Sequence, residues 1–113
     1  MSQAATARAR VNLTDRLAKF FPQATPVRIP VNLTQMSGQE QVTESTVVEF
    51  GTPSELLFAS ALPLEFADTV RVRTADGTLD AEARVVALQY TGGRRAAVAA
   101  RFTHQVSNWI IKS

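Results

Sequence analysis

The 113-residue chain contains no cysteine, and it has one histidine, one tryptophan and one tyrosine. Without cysteine there are no disulfides and no thiolate metal sites, which fits a cytoplasmic location. No apolar run approaches the roughly 20 residues of a membrane span, so none is expected. The opening MSQAATARAR has no apolar h-region and does not read as a secretory signal. His104 alone cannot supply a Cys/His metal set. A Ser-His-Asp arrangement would have to use it, in a segment without strand-turn-helix nucleophile context. His104 is therefore expected as a surface residue near the last strand. Phosphate loops of the GxxxxGK[ST] and GxGxxG types are also missing. Neither an enzyme nor a bound cofactor or metal is expected.

The length suits one domain with a single core. Charge is uneven along it. Up to Gly38, Arg8, Arg10, Arg16, Lys19 and Arg28 face Asp15 alone. From Gln39 to Glu82 nine carboxylates meet Arg71 and Arg73. From Ala83 onward Arg84, Arg94, Arg95, Arg101 and Lys112 meet no acid. Basic ends around an acidic middle have two readings. Terminal segments fold back on the middle, or the cations cluster into a phosphate-binding surface.

Residues 1–10 are small and polar, and a disordered tail is expected there. Residues 11–26 read as a short helix and linker. Leu13, Leu17, Phe20 and Phe21 share one helical face, and Pro22 would stop it. Residues 27–113 change texture. VRIPVNLTQ, STVVEF, ELLFAS, DTVRVRT, TLDAEARVVALQY and RRAAVAARF are short alternating or apolar runs between turn signals. The pattern predicts a mostly β chain, a small antiparallel β-barrel of about six strands. In the closing THQVSNWIIKS, Val106, Trp109 and Ile110 are spaced for a C-terminal helical turn against it.

A two-residue loop at Asp76-Gly77 predicts a type I′ hairpin. It sets Arg73 opposite Asp80 and Arg71 opposite Glu82 on one face, with Val72 opposite Ala81 and Val70 opposite Ala83 on the other. Charge and hydropathy agree on this register. A similar loop at Gly92-Gly93 pairs Ala83 with Phe102, Val85 with Ala100 and Ala87 with Val98. It also sets Arg84 opposite Arg101 and turns Val86, Leu88 and Tyr90 outward. Either a bulge near Val85-Val86 shifts the register, or something covers that surface. Arg94 and Arg95 form an exposed basic corner.

From about Val27 to Phe102 the order of elements resembles a PilZ domain, the small bacterial barrel known for binding cyclic di-GMP. Leu62, Pro63, Leu64, Val70, Val72, Ala83, Val85, Val86, Val98 and Phe102 fit its core pattern. The family's ligand motifs are an Arg-x-x-x-Arg loop before the first strand and an [Asp/Asn]-x-Ser-x-x-Gly turn. The sequence departs from both. No two of Arg8, Arg10, Arg16 and Arg28 lie four apart. VVEFGTPSELLFAS aligns with the turn through Glu49, Gly51 and Ser54, or through Phe50, Thr52 and Glu55, and keeps the motif in neither. Guanidiniums would grip phosphate by charge-assisted bonds, whereas Glu49 or Glu55 would repel it.

The resemblance implies a PilZ-like regulatory module acting mainly through a protein partner, as motif-less members of the family do. Cyclic di-GMP binding is not favoured. Val86, Leu88 and Tyr90 are candidate partner contacts. One alternative is a cyclic di-GMP receptor with a non-standard site, in which Arg8, Arg10 and Arg16 fold over ligand near Glu49, Gly51 and Ser54. Another is a small basic barrel binding nucleic acid through Arg84, Arg94, Arg95 and Arg101, with Tyr90 as a stacking platform. Oligomeric state is not read from the sequence.

Overall fold

A computed structural model describes residues 13–35, 40–90, 93–106, 109 and 111. A single helical turn, α1 (Asp15–Ala18), precedes six strands. These are β1 (Thr25–Gln35), β2 (Val42–Gly51), β3 (Glu55–Ser60), β4 (Thr69–Arg73), β5 (Asp80–Tyr90) and β6 (Ala96–Phe102). All neighbours pair antiparallel, and the sheet closes in the order β1-β2-β3-β6-β5-β4. The chain is mostly β, a closed six-stranded antiparallel barrel with little helix, as the strand pattern predicts. The tail expected over residues 1–10 lies outside the described residues.

The helix is shorter than its apolar spacing predicts. After Ala18 the backbone bonds tighten to i→i−3, from Lys19 to Arg16 at 3.2 Å and from Phe20 to Leu17 at 3.0 Å. Tightened turns of this kind end helices, and Pro22 follows. The expected C-terminal helical turn falls largely on residues 107, 108 and 110, which lie outside the described residues. Among the described residues past Phe102 none is helical. Trp109 decides the path of that segment by packing into the barrel core.

Val31, Leu33, Val48, Leu56, Phe58, Val70, Val72, Ala83, Val85, Val98 and Ala100 fill the interior. Leu64, Leu79 and Trp109 join from the connecting segments. Fully burying a large apolar side chain contributes about 1.5–3 kcal/mol, so this cluster is the main stabilising term. A smaller cluster sits outside the barrel wall. Leu17 of α1 packs on Leu57, Ala97 and Ala99, with Phe21, Phe50, Val86 and Ala87 around them. The small side chains of Ala97 and Ala99 let α1 approach closely. Burial on both faces explains why β3 and β6 read as continuous apolar runs rather than alternating ones.

The β4–β5 register is the predicted one: Arg73 faces Asp80, Val72 faces Ala81, Arg71 faces Glu82 and Val70 faces Ala83. The ion pairing is diagonal. Arg71 makes two bonds to Asp80, Nε to Oδ1 at 2.7 Å and Nη2 to Oδ2 at 2.9 Å. Arg73 Nε stands 3.6 Å from Asp80 Oδ2. The turn is not type I′. Gly77 has φ 77°, but Asp76 is not among the positive-φ residues. Thr74 N–H bonds the Leu79 carbonyl at 2.9 Å, and Gly77 N–H bonds the Thr74 carbonyl at 3.0 Å. The Asp76 carboxylate takes the place of a tighter backbone turn. It accepts the Thr78 N–H at 3.0 Å and the hydroxyls of Thr78 and Thr74 at 2.8 Å. Those bonds, the Thr78 N–H first, hold its pKa down at about 2.

In β5–β6, Ala83 faces Phe102, Arg84 faces Arg101 and Val85 faces Ala100. A bulge then shifts the register, so Ala87 faces Ala99 rather than Val98, and Leu88 faces Val98. Of the two outcomes expected at this hairpin, the bulge is present, while cover is partial: Val86 is half-buried beside Leu17 of α1, and Tyr90 is exposed.

Replacing Gly77 by valine should lower stability by about 1–2 kcal/mol, the cost of a left-handed backbone for a residue with Cβ. A Cβ there meets nothing within 4 Å, so the penalty is conformational and not steric crowding. An unchanged denaturation midpoint would contradict this account of the turn.

Candidate functional site

The β2–β3 turn, Gly51 to Glu55, is held by its own side chains. Thr52 N–H bonds the Glu55 carbonyl at 2.9 Å. The Thr52 hydroxyl accepts Ser54 N–H at 3.2 Å and Glu55 N–H at 2.9 Å. It donates in turn to Glu55 Oε1 at 2.8 Å. The spacing Thr-x-x-Glu is that of a capping box, here closing a turn between strands. Ser54 is exposed, and its carbonyl accepts Phe102 N–H at 2.9 Å. The second oxygen of Glu55 accepts Arg101 Nη2 at 2.6 Å and Nε at 3.0 Å across the β3–β6 ladder.

The C-terminal segment covers this turn. The Trp109 indole N–H donates to the Thr52 carbonyl at 2.7 Å. Its ring meets Phe102 edge-on, with centroids 5.3 Å apart and planes at 72°. Only 2% of Trp109 is exposed. A Cβ on Gly51 would lie 2.8 Å from Trp109 Cζ2 and 2.6 Å from Ile111 Cδ1. Glycine stands at position 51 because the Ile111 and Trp109 side chains together occupy the space of a side chain.

The expected site residues fall as follows. Arg8 and Arg10 lie outside the described residues. Arg16 is exposed on α1. Glu49 lies at a β2–β3 register shift and accepts the buried Thr14 hydroxyl at 2.6 Å, pinning α1 to the barrel. Glu49, Gly51 and Ser54 are thus brought to one corner. Glu49 is bound to Thr14 there, and Gly51 lies beneath Trp109.

The second set does not form one surface. Val86 packs under α1, and the bulge turns Leu88 toward the barrel interior. These two were expected outward, and the extra bulge residue is why Leu88 is not. Tyr90 is 73% exposed, with its hydroxyl 3.5 Å from the Leu64 carbonyl. Arg84 and Arg101 stand side by side near one end of the β5–β6 ladder. Arg94 and Arg95 precede β6 at the other end, roughly 20 Å from Arg101 at about 3.3 Å per residue. Arg95 is anchored to Thr46 Oγ1 at 2.9 Å and the Ala59 carbonyl at 3.0 Å. His104 is exposed just past β6, its Nδ1 3.0 Å from the Thr103 hydroxyl.

The roles of Thr52, Glu55 and Trp109 were not anticipated from the sequence. The Thr52-x-x-Glu55 spacing was the available signal for the first two. The spacing of Val106, Trp109 and Ile110 pointed Trp109 at the barrel, but nothing local marks its bond to Thr52, 57 residues away. No helix among the described residues is long and apolar enough to cross a membrane. Among them there is also no group of three or more histidine, aspartate or glutamate residues able to hold a metal ion. The chain matches no protein-family model, and none of the curated proteins compared with it matches.

Changing Arg101 to glutamate should cost about 1–2 kcal/mol of stability, on the scale of hydrogen bonds to charged groups. It would relieve the like-charge pair with Arg84, but the Glu55 side chain is 12% exposed and would face a second carboxylate. A chemical-denaturation midpoint equal to or above wild type would overturn the assignment of Glu55 as its partner.

Proposed function

We propose that the chain is a bacterial, cytoplasmic regulatory module of the PilZ type that performs no catalysis and works through contacts with a partner protein. On this reading the β2–β3 turn is a structural corner, and cyclic di-GMP is not its ligand. The observation that carries the proposal is the commitment of that corner to the fold. Glu55 binds Thr52 and Arg101, Glu49 binds Thr14, and Trp109 covers Gly51. A dianionic ligand there would have to displace a buried indole and approach two carboxylates. Displacing the indole leaves the Thr52 carbonyl without its donor, at about 1–3 kcal/mol for a buried unsatisfied group. Like charge adds to the cost.

The reading also fits the surface. The exposed large apolar residues include Phe66 and Tyr90, each over 70% exposed. Aromatic and arginine side chains are the types enriched where proteins meet.

Calorimetric titration with cyclic di-GMP at physiological salt tests the proposal. The wild-type chain should give no binding in the micromolar range. A variant with Arg8, Arg10 and Arg16 all changed to alanine should behave the same way. Low-micromolar binding by the wild type that vanishes in the variant would replace this reading with a receptor built on the arginine arm.

A further inference from the structure

A groove of about 380 Å³ lies on the barrel wall, lined by Phe66, Arg84, Val86, Arg101, Phe102 and Thr103 among others. Three features set it apart. The first is an exposed aromatic on a strained turn. Phe66 is 72% exposed, and Ala67 beside it has φ 75°, a left-handed angle unusual for alanine. That angle costs about 1–2 kcal/mol in a residue with Cβ. The surrounding bonds hold it in place: Ala67 N–H to the Val85 carbonyl at 2.9 Å, Val85 N–H to the Asp68 carbonyl at 2.8 Å, and Glu65 N–H to Asp68 Oδ2 at 2.9 Å. Phe66 is therefore presented by a fixed backbone, and little ordering entropy remains to be lost on contact.

The second feature is charge. Arg84 and Arg101 are directly opposed across β5–β6, an arrangement that is destabilising unless something negative lies over it. Arg101 has Glu55. Arg84 is exposed and has no ion-pair partner among the described residues. No carboxylate lines the groove. The third feature is the floor. Half-buried Val86 and the edge of Phe102 line the groove with the aromatic and the cations.

We propose that this groove docks a segment of a partner protein that presents one carboxylate beside an aromatic or large aliphatic side chain. The proposal rests on the reading of the chain as a protein-contact module and gives that reading a location. The charge count selects the partner's chemistry. Of the two cations in the lining, Arg101 is held by Glu55, which leaves Arg84 to meet one carboxylate. A phosphate dianion would leave an excess negative charge beside Glu55. Arginine and aromatic anchors around a small apolar floor are also the composition of interface hot spots.

A phage-displayed random peptide library selected on the purified chain tests this. The enriched peptides should share an aspartate or glutamate within a residue or two of phenylalanine, tryptophan or leucine. One of them, fluorescently labelled, should bind by anisotropy. Phe66→Ala and Arg84→Glu should each weaken that binding by about tenfold or more without lowering the melting midpoint, because Phe66 is exposed and the exposed Arg84 gives up its like-charge pair with Arg101. Arg28→Glu, an exposed change on β1, should leave it unchanged. Peptides insensitive to Phe66→Ala or to Arg84→Glu would overturn this groove as the dock but leave the protein-contact reading standing. Failure to enrich any peptide would overturn the proposal, and cyclic di-GMP binding in the titration above would overturn the broader reading with it. Guanosine monophosphate that displaces the labelled peptide and is itself lost in Phe66→Ala would reassign the groove to a nucleotide and also overturn the proposal.

Discussion

Trp109 reaches the β2–β3 turn because residue 51 has no side chain. The indole, with Ile111, lies too close to residue 51 to admit a Cβ, and it is edge-on to Phe102 and bonded to the Thr52 carbonyl. A buried indole N–H needs an acceptor, and the turn offers the Thr52 carbonyl because the Thr52 hydroxyl is already engaged with Ser54, Glu55 and the Glu55 carboxylate. Glu55 continues the chain of contacts to Arg101 on β6, and Ser54 takes Phe102 N–H. The turn, the last strand and the C-terminal segment therefore behave as one unit. Disturbing any member exposes polar groups that the others leave unsatisfied.

The same economy runs through the acidic middle of the chain. Glu44 accepts the Ser60 hydroxyl and Ala61 N–H, where β3 ends. Glu49 takes Thr14, Asp68 takes Glu65 N–H, and Asp76 takes Thr74 and Thr78. Asp80 takes Arg71, whose hydrogen bond is the largest cause holding its pKa below the usual carboxylate range. These carboxylates close turns and tie segments together. The acidic block is thus largely internal scaffolding, and several cations are left facing solvent. Arg84 is one of them, and it lines a groove with the exposed Phe66.

Much of the fold was legible because patterns agreed at separate levels. Around Asp76-Gly77, opposite charges and opposite faces gave the same register, and the register is the observed one. The turn type was misread, since the Asp76 side chain substitutes for backbone geometry that the dipeptide alone would predict. At Gly92-Gly93 the unfavourable Arg84–Arg101 pair and the outward apolar residues correctly pointed to a bulge or a cover. Single-strand alternation cannot say which residue is the extra one, so Leu88 was placed on the wrong face. The contacts that close the candidate site were the least legible. Thr14 with Glu49 and Trp109 with Thr52 join residues far apart in sequence, and no local period encodes them.

The central claim is that Trp109 fills the space over Gly51 and so closes the β2–β3 corner. The chain has a single tryptophan, so its fluorescence reports this contact alone. The wild-type emission should be blue-shifted and poorly quenched by acrylamide. In Gly51→Ala the added methyl should displace the ring, giving a red-shifted and readily quenched emission while the far-ultraviolet dichroism of the barrel persists. If Gly51→Ala leaves both emission and quenching as in the wild type, the indole is not seated on residue 51 and the account fails.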